Sequence, residues 1–158
     1  MTIKKENVYV ETSVISFLAA RLTRDVVKLA KQEVTREWWQ RHGPRFNLYI
    51  SAAVVAEIKR GDAEAAKQRL LLIRGLPELD INDEVINLYE RLIADKALPA
   101  TAAADALHIA VAAVHGIAYL LTWNCTHINN AFQKPKIRTA VTRAGYEEPI
   151  MATPEELI

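Results

Sequence analysis

Cysteine is nearly absent from this chain of 158 residues, which contains only Cys125. One cysteine excludes an internal disulfide and a zinc site built from several thiolates. The N-terminus also lacks the basic patch, long apolar run and small-residue cleavage site of a secretion signal, so we expect a cytoplasmic protein. Because the apolar stretches fall short of the roughly 20 residues that cross a bilayer, we expect no membrane segment.

Glycine and net charge are low as well. The five glycines are scattered and form neither GxGxxG nor a Walker pattern, so we expect no nucleotide cofactor. The 20 Lys and Arg residues nearly balance the 19 Asp and Glu residues, but segments 21–45 and 134–143 are basic, whereas 78–96 and the tail from 147 are acidic. This segregation allows a basic face for a polyanion, although ordinary solvated helix surfaces give the same pattern.

The remaining composition is typical of one globular domain over residues 1–158, with 51% hydrophobic and 25% charged residues. Short β-type runs alternate with longer helical stretches, which indicates an α/β fold with a mainly parallel sheet. We predict four to five strands, at 8–10, 48–50, 79–81, 119–121 and near Ile150. The predicted helices cover 24–42, 51–58, 62–74, 83–94, 101–115 and part of 130–143.

Local signals predict where these helices begin and which side they bury. The expected N-caps are Ser51, Asp62, Asp83 and Thr101. In the helix 24–42, the stripe expected to face the core consists of Val27, Ala30, Val34 and Trp38. Trp39 lies off this stripe and is the tryptophan expected to be exposed for base stacking, whereas Trp123 is the one expected nearest the functional site.

Four polar residues are expected at one rim of the sheet. Glu11 directly follows the strand 8–10, and Asn124 closely follows the strand 119–121. Glu57 lies in the helix that leaves the strand 48–50, and Asp105 lies near the start of the helix that returns to the strand 119–121. Because ligands of open parallel sheets bind outside the carboxyl ends of the strands, this rim is the expected functional site.

Glu57 and Asp105 also interrupt apolar helical segments. A buried carboxylate is costly unless it is paired or binds a metal, although an acid in a first helical turn is favoured by the helix dipole alone. Three acids and one amide on a single rim favour a hard cation, since oxygen ligands suit Mg²⁺ or Mn²⁺.

These segments resemble the PIN-domain nucleases, in particular the VapC-like toxins of toxin–antitoxin pairs. The resemblance spans essentially the whole chain and rests on the order and spacing of four segments, which are Val10-Glu11-Thr12-Ser13, the helix with Glu57 after Leu48-Tyr49-Ile50-Ser51, the stretch 104–110, and the stretch 119–124. It implies a three-layer α/β/α fold, Mg²⁺- or Mn²⁺-dependent hydrolysis of RNA, a homodimer, and inhibition by a small antitoxin protein.

Two residues depart from the family pattern. The first acid is usually Asp and is Glu11 here, which implies a displaced metal or a retracted strand end. The fourth position is usually Asp and is Asn124 here, which brings an oxygen but no charge. One metal ion is therefore expected rather than two, because a two-metal site calls for several bridging anions.

The predicted catalytic set is Glu11, Glu57, Asp105 and Asn124, with the metal ion held by Glu11, Asp105 and Glu57. Thr12 and Ser13 are expected to orient Glu11 or a phosphate, or only to cap a helix. His108 could contact a phosphate or a carboxylate, but its apolar surroundings favour packing in the core or an interface. Cys125 and His127 complete no metal-ligand pattern and are expected to be structural or incidental.

The sequence thus predicts a metal-dependent endoribonuclease, the toxin of a toxin–antitoxin pair. The alternative is a catalytically weak or inactive PIN-like scaffold that binds a protein or RNA without cleaving it. A third reading is a nuclease of similar mechanism that acts in RNA processing or on DNA.

Overall fold

The computed structural model describes residues 3–158 and contains one parallel sheet of five strands. The strands are β1 (Asn7–Val10), β2 (Asn47–Ser51), β3 (Glu78–Leu79), β4 (Tyr119–Leu121) and β5 (Ile150–Ala152). The helices are α1 (Thr12–Ala19), α2 (Val26–Glu37), α3 (Ala52–Ile58), α4 (Ala63–Ile73), α5 (Asp83–Ala94), α6 (Ala103–Val114) and α7 (Lys134–Arg143). The predicted three-layer α/β/α architecture is confirmed.

The strand order β3-β2-β1-β4-β5 places β1 at the centre. From β1 the chain adds β2 and β3 on one side and then crosses over to add β4 and β5 on the other. The two directions diverge between β1 and β4, so the crevice beyond their carboxyl ends is the topological switch point at which open α/β sheets bind ligands.

Alternation along the strands divides the side chains between the two helix layers. Tyr9 of β1 points to the layer that contains α6, where its hydroxyl reaches His108. Trp123, just beyond β4, points to the opposite layer, where its ring meets Phe17 of α1 and its indole N–H donates to Thr35 of α2 at 2.8 Å. The sheet is therefore covered on both faces, and the aromatic side chains anchor each layer.

Two predicted helix starts differ from the observed ones, and a third is correct in position only. The side chain of Asn82, rather than Asp83, caps α5 by accepting the Val85 N–H at 3.0 Å. Thr101 is not an N-cap, because it lies in a 3₁₀ turn that precedes α6. Ser51 occupies the N-cap position of α3, but its hydroxyl pairs with Tyr9 instead of capping the helix. The predicted cap Asp62 is confirmed.

Half of the predicted buried stripe of α2 is wrong, although Val34 packs against the core as predicted. Val27 and Ala30 are exposed, whereas Gln32 and Thr35 are buried. The polar pair is buried because each side chain has partners: the Gln32 amide bonds the preceding loop at 2.9 and 3.2 Å, and the Thr35 hydroxyl accepts the indole N–H described above. Specific hydrogen bonds have outweighed the apolar pattern at this face.

The end of this helical segment also differs from the prediction. The final turn is a π-helix over Trp38–His42. Trp38 is buried as predicted, but Trp39 is only partly exposed and packs against the core, so it is not the free stacking surface that was expected. Strand β3 lies one residue earlier than predicted and has only two residues, since it pairs with just Ile50 and Ser51 of β2.

Among residues 3–158, none of the helices combines the length and apolar character needed to cross a membrane.

The α6 helix carries much of the core, and truncation there tests this packing. Ile109 is fully buried, so we expect Ile109→Ala to lower the free energy of unfolding by about 2–5 kcal/mol. Ile86 on α5 is 38% exposed and serves as the matched control, for which Ile86→Ala is expected to cost much less. Urea unfolding measures both values, and equal losses would contradict the assignment of α6 to the core.

Candidate metal centre

The site begins where β1 and β4 end. Val10 and Leu121 are the last paired residues of the two strands, and Glu11 and Thr122 follow them directly. The Glu11 backbone N–H still donates to the Leu121 carbonyl at 3.0 Å, which holds the two chain segments together. The parallel register therefore puts the Glu11 and Thr122 side chains next to each other at the switch point.

The Glu11 side chain is only 4% exposed, and its carboxylate is held by three donors. Oε2 accepts the Ser13 N–H at 3.1 Å, the Thr122 hydroxyl at 2.8 Å and also the Ser13 hydroxyl. Glu11 is thus the N-cap of α1, where the helix dipole favours a negative charge. These bonds compensate the burial of an ionised group.

Glu57 on α3 forms an ion pair with His108 on α6, with 2.6 Å between Oε1 and Nε2. Burial opposes charge on both groups, but the mutual hydrogen bond and attraction outweigh it. The pKa of Glu57 is lowered, and that of His108 is raised, with the carboxylates of Glu11 and Asp105 contributing to the latter. The pair consequently stabilises the fold most between pH 4.5 and 6.5, the ordinary pKa values of Glu and His. This contribution is lost as pH falls through the lowered pKa of Glu57 or rises through the raised pKa of His108.

The buried phenol of Tyr9 fixes the other side of the imidazole. Its oxygen lies 2.7 Å from His108 Nδ1 and 2.8 Å from Ser51 Oγ. Burial raises the pKa of Tyr9, so the phenol keeps its proton. With His108 protonated, Nδ1–H donates to the Tyr9 oxygen, Tyr9 donates to Ser51, and Nε2–H donates to Glu57. A continuous hydrogen-bonded chain thereby positions the Glu57 carboxylate.

Glu11, Glu57 and His108 lie close enough to share a metal ion, with one ligand atom of each within 4.8 Å of the others. Both ring nitrogens of His108 are already hydrogen-bonded, to Tyr9 and to Glu57, so the two carboxylates are the available ligands. Within the described range 3–158, Oε1 of Glu11 and Oε2 of Glu57 accept no hydrogen bond of normal geometry. The Thr12 hydroxyl is buried there and makes no hydrogen bond of normal geometry, although it lies close enough to Glu57 to help lower that pKa. Available hard oxygens fit Mg²⁺ or Mn²⁺.

Asp105 does not belong to this group of three. Its Oδ1 accepts from Asn124 Nδ2 at 3.0 Å, and its Oδ2 lies 3.0 Å from His127 Nδ1. The side-chain oxygen of Asn124 in turn accepts the His127 backbone N–H at 3.0 Å. The structure therefore joins two predicted catalytic residues, Asp105 and Asn124, and adds His127. Direct metal binding by Asp105 stays a prediction.

Thr122 links the two groups. Its hydroxyl donates to Glu11 Oε2 at 2.8 Å and accepts the Asn124 N–H at 2.9 Å. Sequence reasoning missed Thr122, although the alignment of β1 with β4 places it opposite Glu11. It also set His127 aside, although the spacing of Asn124 and His127 suits a side-chain-capped turn after a strand.

Comparisons of the chain with protein-family models, with curated proteins and with solved structures find no match.

A titration of His108 tests the ion pair. In Glu57→Gln the neutral amide stabilises the His108 imidazolium less than the carboxylate does. Burial, which lowers the pKa of His108, is then less compensated, so we expect this pKa to fall relative to wild type. NMR of the imidazole signals measures this change. In Glu90→Gln, which alters an exposed acid of α5, the His108 titration should match wild type. An unchanged pKa in Glu57→Gln would contradict the pair.

Proposed function

We propose that this protein is a metal-dependent endoribonuclease that hydrolyses RNA phosphodiester bonds. The observation that carries the proposal is the convergence of Glu11 and Glu57 at the switch point of the sheet, each with a carboxylate oxygen free of hydrogen bonds from the described residues. The substrate class comes from the resemblance to PIN-domain nucleases, which implies a three-layer α/β/α fold of the kind observed.

Glu11 and Glu57 would hold Mg²⁺ or Mn²⁺, an ion that proteins commonly bind through one or two carboxylates together with water and phosphate oxygens. A bound divalent cation lowers the pKa of a coordinated water and offsets phosphate charge. The chain itself orients the ligands. Ser13 and Thr122 fix one oxygen of Glu11, and His108 fixes one oxygen of Glu57, so both carboxylates are preorganised at the switch point.

Basic residues flank the centre on α2, which supports a polyanionic substrate. The Lys31 ammonium lies over the Trp123 ring, 5.4 Å from its centroid, beside the carboxyl end of β4. Lys28, one turn earlier, is exposed. Phosphate oxygens entering the crevice from this side would meet positive charge before they reach the carboxylates, which favours binding of a nucleic acid.

The wider biological role rests on the resemblance alone. We propose that the protein is the toxin of a toxin–antitoxin pair in the cytoplasm, that it forms a homodimer, and that a small antitoxin protein inhibits it.

A second candidate is a PIN-like scaffold that binds RNA or a protein without cleavage. Two observations favour it: Oε2 of Glu11 is already bonded to three donors, and both oxygens of Asp105 are paired within the protein. Carboxylates held in this way are stable without a cation. The two candidates differ in one measurable property, namely whether a divalent ion makes the protein cut RNA.

RNA cleavage by wild-type protein with added Mg²⁺ or Mn²⁺ tests the proposal. We expect cleavage that EDTA abolishes, and a loss of about 100-fold or more in Glu57→Gln because a cation ligand is removed. Glu90→Gln and Asp95→Asn alter exposed acids of α5 and the turn that follows it, and should retain full activity.

Binding of RNA by wild type without cleavage at any metal concentration would reject the nuclease and support the scaffold. Equal activity of wild type and Glu57→Gln would show that the cleavage comes from another site or from a contaminant.

A further inference from the structure

His127 forms a carboxylate–histidine pair with Asp105 at the same edge of the sheet as the metal centre. Its Nδ1 lies 3.0 Å from Asp105 Oδ2, and the side chains are 29% and 19% exposed. An ionised carboxylate only accepts hydrogen bonds, so Nδ1 must carry a proton. Nε2 is then the nitrogen left for chemistry, and no residue of the described chain 3–158 hydrogen-bonds it.

The ring is held in place from two sides. The His127 backbone N–H donates to Asn124 Oδ1, while Asn124 Nδ2 holds the second oxygen of Asp105. These three residues close a ring of hydrogen bonds that fixes both the carboxylate and the imidazole. Fixed donors of this kind lose little entropy when they meet a reacting group, which is what a proton-transfer catalyst requires.

The pair is also connected to the proposed metal ligands. Thr122 bonds both Asn124 and Glu11, and Asp105 lies one helical turn before His108 on α6. Both groups therefore lie at the carboxyl edge of β1 and β4, so a phosphodiester bound there would be near the carboxylates and the imidazole. An in-line displacement needs two such groups, because the attacking water and the leaving oxygen lie on opposite sides of phosphorus.

We propose that His127 is a catalytic residue that donates a proton from Nε2 to the leaving oxygen, and that Asp105 is the positioning residue that orients it. The inference rests on the proposed nuclease function and assigns a role that the metal ligands do not fill, since a ribose alkoxide is a poor leaving group until it is protonated.

The oxygen of water forms a bond to phosphorus, and the bond from phosphorus to the ribose oxygen breaks with its electron pair. The proton of imidazolium Nε2 passes to that oxygen, which leaves as a hydroxyl group. The attacking water releases one proton to solvent, and neutral His127 takes one proton from solvent, so the enzyme is regenerated.

Cleavage of matched substrates tests the role. Once the wild-type cleavage position is mapped, one RNA keeps the leaving oxygen and a second RNA carries sulfur in its place, because a thiolate leaves without protonation. We expect His127→Gln and His127→Asn, at a Tm equal to wild type, to cut the oxygen substrate about 10²–10⁴-fold more slowly. The sulfur substrate should be cut within about 10-fold of wild type. His42→Gln is the control and should cut both normally.

A slowing that is equal for both substrates, or no slowing at all, would overturn the inference while leaving the nuclease intact. Failure of the wild type to cut either RNA would reject both the nuclease and this inference. A second readout needs neither metal nor activity: ¹⁵N NMR of the neutral His127 ring in the wild-type protein should show the proton on Nδ1, and a proton on Nε2 would also overturn the inference.

Discussion

The candidate site depends on the buried carboxylate of Glu11. An ionised carboxylate costs several kcal/mol to bury unless donors replace its water, and here Ser13 and Thr122 supply them. The fold places both donors near this carboxylate. Ser13 is close because α1 starts immediately after β1, and Thr122 is close because β4 runs parallel to β1 in register. Thr122 also continues the network to Asn124 and Asp105.

The second carboxylate is positioned from across the sheet. Tyr9, two residues before Glu11 on the same face of β1, reaches both Ser51 and His108 and thereby orients the imidazole that holds Glu57. β1 thus leads directly into one proposed ligand and supports the other through two hydrogen bonds, between Tyr9 and His108 and between His108 and Glu57. This chain of hydrogen bonds joins the protonated Tyr9 phenol, the His108 imidazolium and the Glu57 carboxylate. A buried polar network whose members are all hydrogen-bonded specifies a single arrangement of side chains.

Topology was the part of the site that could be predicted from the sequence. Glu11 follows an apolar run and Glu57 lies in the helix after another, which suffices to place both at the carboxyl rim once a parallel sheet is inferred. Side-chain partners could not be predicted in the same way. The pairing of His108 with Glu57 depends on the crossing of α6 and α3, and the pairing of His127 with Asp105 depends on the turn after β4. A search for zinc-like spacing overlooks His127, because its partner is a carboxylate on a distant helix. The stripe of α2 failed for a related reason, since Gln32 and Thr35 are buried by specific bonds that hydrophobic periodicity does not register.

In the proposed metal centre, Glu11 and Glu57 together hold a divalent cation at the switch point between β1 and β4. Anomalous diffraction from crystals of the wild-type protein grown with Mn²⁺ tests it most directly, because the signal locates the ion without any assumption about activity. We expect a Mn²⁺ peak within coordination distance of Glu11 Oε1 and Glu57 Oε2, with His108 still bonded to Glu57. A crevice without a peak at saturating Mn²⁺, or a peak that contacts neither carboxylate, would contradict it.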